Sequence, residues 1–222
     1  MSGPSRAEWA LRVDVVTTAR AMNASGLNRG TSGNVSTRLA LDGFDGFLVT
    51  PSGMAYERIG PADVVALDTH GSPRDADAPV PSSEWRFHGA IYAARPEANA
   101  IVHTHSVFAT ALACHGLNIP PFHYMIAMAG GHDVRCAPYA RFGTHELADA
   151  VLTALAGRTA CLMANHGMVA IGPDLDRALA LAREIETLAE TYWRARQIGE
   201  PMLLSSAEMT AVIDRFAHYG QR

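Results

Sequence analysis

A short apolar run, Ala100-Ile101-Val102, passes directly into His103-Thr104-His105. The run reads as a buried strand, and side chains two apart on a strand point to the same side of it. Two imidazoles on one side of a strand end constrain the fold. Whatever packs there must satisfy both rings as ordinary strand-end residues or use them as a pair of metal ligands. A second apolar run, Cys161-Leu162-Met163-Ala164, leads through Asn165 to His166-Gly167, and a carboxylate, Glu84, lies upstream in Pro81-Ser82-Ser83-Glu84-Trp85. Three imidazoles and one carboxylate suit zinc, and a set with a displaceable member suits catalysis better than structure. Such a set selects Lewis-acid activation of a small oxygenated substrate.

The pattern around these runs predicts alternating helices and strands. Residues 5–25 read as a helix with Trp9, Val13, Val16 and Ala19 near one face, ended by Gly26. The turn Gly30-Thr31-Ser32-Gly33-Asn34 leads into a strand through Leu39, and 47–50 and 64–67 read as short strands. Residues 71–79 read as a surface loop. Ser82 or Ser83 is expected to cap a helix running to Arg95. The strand that ends at His105 precedes a helix through Cys114, and 134–136 read as a further strand. Thr144 caps a helix over 145–155, strands at 160–164 and 168–171 flank His166, and Asp174 caps a long helix over 175–198. Its buried stripe is Leu175, Leu179, Ala182, Ile185 and Leu188. Ser205-Ser206 opens the last helix. Interleaved elements give an α/β class. The hairpin expected around Gly167 argues for a sheet that is not purely parallel.

Composition removes whole classes of chemistry. All 18 Lys+Arg residues are arginine. Without lysine there is no Schiff base to a carbonyl substrate or to pyridoxal phosphate and no P-loop lysine. A chain of 222 residues with 48% hydrophobic and 18% charged content suits one globular domain spanning 1–222. The net charge of −4 gives no reason to expect nucleic acid. The apolar runs are too short for a bilayer, and the first residues lack the apolar core of a signal peptide. Cys114, Cys136 and Cys161 form no metal or redox spacing and are expected to be buried free thiols in a cytoplasmic protein.

Each candidate carries an ordinary reading beside the functional one. Glu84 in the first turn of a helix is favoured by the helix dipole, or it is a metal ligand or general base. His88, one helical turn later, packs or orients a neighbour, or faces the site. Three small polar turns, 30–34, Thr50-Pro51-Ser52-Gly53 and Ser82-Ser83, are turns and caps. Together they are also compatible with a phosphate held by hydroxyls and backbone N–H groups. Tyr124 is an amphipathic core aromatic or a proton donor.

These pieces occur in a recognisable order. They run from Gly26-Leu27-Asn28-Arg29-Gly30-Thr31-Ser32-Gly33-Asn34-Val35-Ser36 through Thr50-Pro51-Ser52-Gly53 to Ser82-Ser83-Glu84-Trp85-Arg86-Phe87-His88. They continue with Val102-His103-Thr104-His105, His123-Tyr124-Met125-Ile126-Ala127, Cys136-Ala137-Pro138-Tyr139 and Asn165-His166-Gly167. In this the chain resembles the class II aldolase/adducin superfamily, and within it the L-fuculose-1-phosphate aldolases, over residues 8–220.

The resemblance implies a single domain with a central, mostly antiparallel sheet flanked by helices on both faces. It implies a cyclic homotetramer with active sites at its interfaces. His103, His105 and His166 correspond to zinc ligands, with manganese or cobalt as alternatives the imidazoles also accept. Glu84 corresponds to a residue that ligates zinc in the empty enzyme and acts as acid/base once substrate displaces it. Thr31, Asn34, Ser52, Gly53, Ser82 and Ser83 correspond to the phosphate-binding set. Tyr124 corresponds to a proton donor from a neighbouring subunit, and Phe142, Phe216 and Tyr219 to aromatics shaping the aldehyde side. The implied reaction is reversible cleavage of a ketose 1-phosphate to dihydroxyacetone phosphate and an aldehyde. Fuculose, 5-deoxyribulose and 5-methylthioribulose 1-phosphates are the substrate alternatives. A pentulose-phosphate 4-epimerase, a dehydratase or a decarboxylase on the same scaffold is the nearest rival. A zinc hydrolase and a non-catalytic adducin-like domain are more distant ones.

Overall fold

All seven runs read as strands join one sheet, and helices cover both of its faces. The computed structural model describes residues 4–41 and 43–217. Helix α1 spans Arg6–Ala24 and is capped by Ser5, whose hydroxyl accepts from the Glu8 N–H. Strands β1 (Asn34–Leu41), β2 (Phe44–Val49) and β3 (Val65–Asp68) follow, then α2 (Trp85–Ala94), β4 (Ala100–Thr104) and α3 (Val107–Ala113). After a 3-10 turn over Tyr124–Ala129 come β5 (Cys136–Ala137), α4 (His145–Ala154), β6 (Ala160–Met163) and β7 (Gly167–Gly172). Helices α5 (Leu175–Ile198) and α6 (Ser206–Ala217) close the described chain.

The sheet order is β3-β2-β1-β4-β7-β6-β5. Every neighbouring pair is antiparallel except β5 with β6. The central strands are apolar on both sides, so consecutive residues feed different cores. Ala100 and Val102 of β4 and Met168 and Ala170 of β7 enter the core under α1, α3 and α5. Ile101, Val169 and Ile171 enter the core under α2 and α4. This is why 100–102 reads as a continuous apolar run. No helix among the described residues is long and apolar enough to cross a membrane.

The expected buried face of α1 is rotated. Trp9 and Val13 are 43% and 40% exposed, while Glu8 and Arg12 are 3% and 4% exposed beside Val15, Val16, Ala19 and Met22. The polar pair goes inside because its charges satisfy one another. Arg12 Nε donates to Glu8 Oε1 at 2.8 Å, and Arg74 Nη1 donates to Glu8 Oε2 at 2.7 Å. Arg74 lies in the 71–79 segment, which this ion pair fastens to α1. Smaller departures concern ends. Val134 makes only an isolated bridge to Ile119, with β5 starting at Cys136. Of the free thiols only Cys161 is buried; Cys114 is exposed and Cys136 half-buried.

Candidate metal centre and active site

The register of three strands places the donors. Asn34 of β1 pairs with His103 of β4, and His103 pairs with Val169 of β7. His105 follows β4 on the side His103 faces, and the β6–β7 connection at 164–166 delivers His166 beside it. That connection needs a left-handed residue, Asn165, at φ 55°. It also needs Gly167, where a Cβ would lie 2.3 Å from the Thr104 carbonyl oxygen and 3.0 Å from the His105 ring.

Glu84 comes from the opposite wall. It occupies the N-cap position of α2, but its side chain makes no capping bond. Neither Ser82 nor Ser83 forms the cap expected of it. The Ser82 hydroxyl accepts only the Glu84 N–H, at 3.4 Å, and the Glu84 carboxylate turns into the cluster of imidazoles.

The ligand atoms of Glu84, His103, His105 and His166 all lie within 4.8 Å of one another. Glu84 Oε2 is 3.0 Å from His103 Nε2, and Glu84 Oε1 is 2.9 Å from His166 Nε2. His103 Nε2 is 3.1 Å from His105 Nε2. His103 Nδ1 donates to the Met168 carbonyl at 2.8 Å, which leaves its Nε2 as the lone-pair atom facing the cluster. Glu84 Oε1 is buried and, despite its closeness to His166, makes no hydrogen bond. Converging lone pairs and an orphaned buried oxygen fit a divalent cation, and the nitrogen-rich donor set fits zinc.

Burial and mutual charge shift the protonation of the cluster. Burial alone would raise the Glu84 carboxyl, but His103 and His166 hold it well below the usual carboxylate range. Burial opposes a charge on His103, and Glu84 outweighs it, so that ring is pushed up. His105 is pushed down to about 4 by burial and then by the other two imidazoles.

A cavity of about 320 Å³ opens over the cluster. Thr31, Asn34, Ser52, Gly53, Ser82 and Ser83 all line it, as do Glu84, His105, His166 and Phe142. The Asn34 side chain is buried and donates to Glu84 Oε2 at 3.0 Å. Its amide therefore serves the carboxylate. A larger cavity of about 520 Å³, between α1, β1 and the start of α5, contains aspartates but none of the four donors.

Tyr124 and Phe216 are elsewhere in the single chain. Tyr124 is half exposed and its ring lies parallel to that of Phe216, 6.3 Å away, beside a separate cavity of about 490 Å³. Tyr219 lies outside the described residues. Residues missed in the sequence hold the site together. Asn28 Oδ1 accepts the His105 N–H at 3.1 Å while its amide donates to the Ser32 carbonyl, and the Tyr56 hydroxyl donates to that same carbonyl at 2.7 Å. Gly33 permits this closeness, since a Cβ there would lie 2.7 Å from the His103 carbonyl. Tyr139 and Asn165 also line the cavity. The signal for Asn28 was its place within the polar stretch 26–36; Tyr56 carried none.

Comparison with known proteins agrees with this geometry. The family described as "Class II Aldolase and Adducin N-terminal domain" matches residues 13–193. A 5-methylthioribulose-1-phosphate/5-deoxyribulose-1-phosphate aldolase of Rhodospirillum rubrum is 50% identical, over 95% of this chain and 93% of its own length. An L-fuculose phosphate aldolase of Escherichia coli is 44% identical, over 94% of each chain. A solved structure of L-fuculose 1-phosphate aldolase superposes with a TM-score of 0.89 at 36% identity, covering 96% of this chain and 98% of its own.

Proposed function

The chain belongs to the family of class II aldolases and adducin N-terminal domains, and from that premise we propose that it is a zinc-dependent aldolase. It would cleave a ketose 1-phosphate reversibly to dihydroxyacetone phosphate and an aldehyde. The observation that carries this reading is the convergence of Glu84, His103, His105 and His166, three of which line a cavity walled by three small polar turns. The names of the relatives favour a 5-methylthioribulose or 5-deoxyribulose 1-phosphate first and fuculose 1-phosphate second. The aromatic edge supports that order. Tyr139 and Phe142 line the cavity and are 66% and 64% exposed, a wall suited to an apolar aldehyde end.

His103, His105 and His166 would hold the ion, with Glu84 as the displaceable fourth donor. A bound divalent cation supplies stabilisation of the negative charge that develops on the substrate oxygens when the bond between carbons 3 and 4 breaks. The chain has no lysine to do this by Schiff-base chemistry. Ser52, Ser82, Ser83 and Thr31 offer hydroxyls, and Gly53 an unobstructed backbone, to the phosphate. Glu84, once displaced, is the nearest carboxylate to carry a proton to and from carbon 3.

Tyr124 borders its own cavity with Phe216, so its role at the carbon-4 oxygen, taking that proton in cleavage and donating it back in synthesis, requires a neighbouring copy. The reading therefore includes a homotetramer with interface sites, of one domain per 222-residue chain, working in the cytoplasm. The test is dihydroxyacetone phosphate release from fuculose, rhamnulose, 5-deoxyribulose and 5-methylthioribulose 1-phosphates, with and without chelator. Chelator-sensitive release is expected, fastest with the 5-deoxy and 5-methylthio substrates. Zinc-loaded protein that releases none from any of them overturns the proposal.

A further inference from the structure

A buried polar chain runs behind Glu84, and its direction is fixed by elementary hydrogen-bond logic. A carboxylate only accepts, so the Asn34 amide must present its N–H to Glu84 Oε2, at 3.0 Å. That leaves Asn34 Oδ1 as an acceptor for His88 Nε2, 2.5 Å away. With its proton on Nε2, the neutral imidazole offers only a lone pair at Nδ1, where the Ser36 hydroxyl donates at 2.6 Å. The Ser36 oxygen then accepts from the Tyr92 hydroxyl at 2.7 Å. Four hydrogen bonds thus point one way, from Tyr92 through Ser36, His88 and Asn34 to Glu84.

Nothing in this chain is exposed enough for water to substitute. Ser36 and His88 are fully buried, and Asn34 and Tyr92 nearly so. His88 does not line the cavity and is not one of the four converging donors. Burial, and then the nearby His103 imidazole, push its protonation down to about 3, in keeping with a neutral ring. Asn34 and Ser36 are two apart on β1, and His88 is one turn beyond Glu84 on α2, so the strand and helix periods bring the two pairs face to face.

We infer that His88 is a positioning residue for Glu84. By fixing which end of the Asn34 amide faces the carboxylate, it holds Glu84 oriented both as a ligand and after displacement. This rests on the aldolase reading for its catalytic half only. Without the His88 donor, Asn34 is free to turn its oxygen toward Glu84, replacing an attraction by a repulsion at a buried carboxylate.

The test uses the full chain with His88→Leu, His88→Gln, Ser36→Ala and Tyr92→Phe. Zinc affinity is read by chelator competition, and kcat and KM by dihydroxyacetone phosphate release. His88→Leu is expected to lower kcat about 10–100-fold and zinc affinity about 10-fold, with KM within about twofold. His88→Gln, which keeps one donor and one acceptor, recovers most of both. Ser36→Ala and Tyr92→Phe show progressively smaller losses, and they carry the test if leucine at 88 prevents folding. A lowered melting temperature with unchanged kcat and zinc affinity across the folded variants overturns the inference, as does a glutamine variant no better than leucine. Zinc affinity needs no substrate. Failure of the unsubstituted protein to cleave any ketose 1-phosphate therefore counts against the reaction and leaves the role of His88 to be decided by metal binding.

Discussion

The two sides of the cavity are built differently. The donor side stands on β1, β4 and the β6–β7 connection. His103 is fully buried and tied to the Met168 carbonyl, and His105 is anchored through its N–H to Asn28. The aromatic side is made of exposed residues, Tyr139 and Phe142, on the segment between β5 and α4. A second aromatic pair, Tyr124 and Phe216, lies in its own surface cavity. On the proposed aldolase reading, chemistry that must hold a geometry sits on strands, while discrimination among aldehydes would fall to parts that can vary without disturbing the sheet. The related aldolases, whose names differ in the sugar, fit that division.

The contrast is broken most severely at the donor side. His105→Ala or His103→Ala is expected to lower both zinc affinity and turnover by about 10³-fold or more, since the charge stabilisation lost is worth several kcal/mol. Zinc content after dialysis and dihydroxyacetone phosphate release measure the two losses together. Glu84→Gln separates them. Turnover should fall about 10²-fold from loss of the acid/base group, with a smaller change in zinc affinity. Equal zinc content and turnover in that variant would exclude Glu84 from the role assigned to it.

On the other rim, Phe142→Ala should leave metal affinity intact. Its preference between 5-methylthioribulose and fuculose 1-phosphates should shift by about 10-fold, because a lost apolar contact is worth one to three kcal/mol. A change in zinc binding there would mean that the two sides are not separable.

The smallest effect on activity is expected far from the cavity. Glu8 is buried between Arg12 and Arg74, so Glu8→Gln should cost about 3 kcal/mol of stability while leaving turnover unchanged at a temperature where it is folded. Burial would raise this carboxyl, but the two guanidinium groups outweigh it and hold it below 4.5. Its folded form therefore binds fewer protons than its unfolded form. The stabilisation is complete above about pH 4.5 and is lost as pH falls through the lower folded value. Thermal melts should converge for the two proteins on acidification; a gap that stays constant down to pH 2 would refute the ion-pair explanation.

These contrasts also mark what was legible in the sequence. Strands of the donor side were readable because a residue buried on both faces leaves no polar alternation, as at 100–102 and 168–171. His103, His105 and His166 stood at the ends of such runs. The phase of α1 is not readable, because Glu8 and Arg12 are polar in composition yet inside by mutual neutralisation together with Arg74, 66 positions beyond Glu8. The capping of α2 is not legible for a related reason. Ser82 has the local chemistry of a cap, but the helix begins at a residue whose carboxylate is drawn to imidazoles from other elements. Tyr56 and Ser36 carried no local signal, since their partners come from distant parts of the chain.

The most direct measurement is a zinc titration of chelator-stripped protein, followed by dihydroxyacetone phosphate release from 5-methylthioribulose 1-phosphate. Activity should be absent at the start, rise in proportion to added zinc and reach its plateau at one ion per chain, as one four-donor cluster requires. Full activity in the stripped protein, or no activity at any zinc level, would contradict a cleavage that depends on Glu84, His103, His105 and His166 holding a metal.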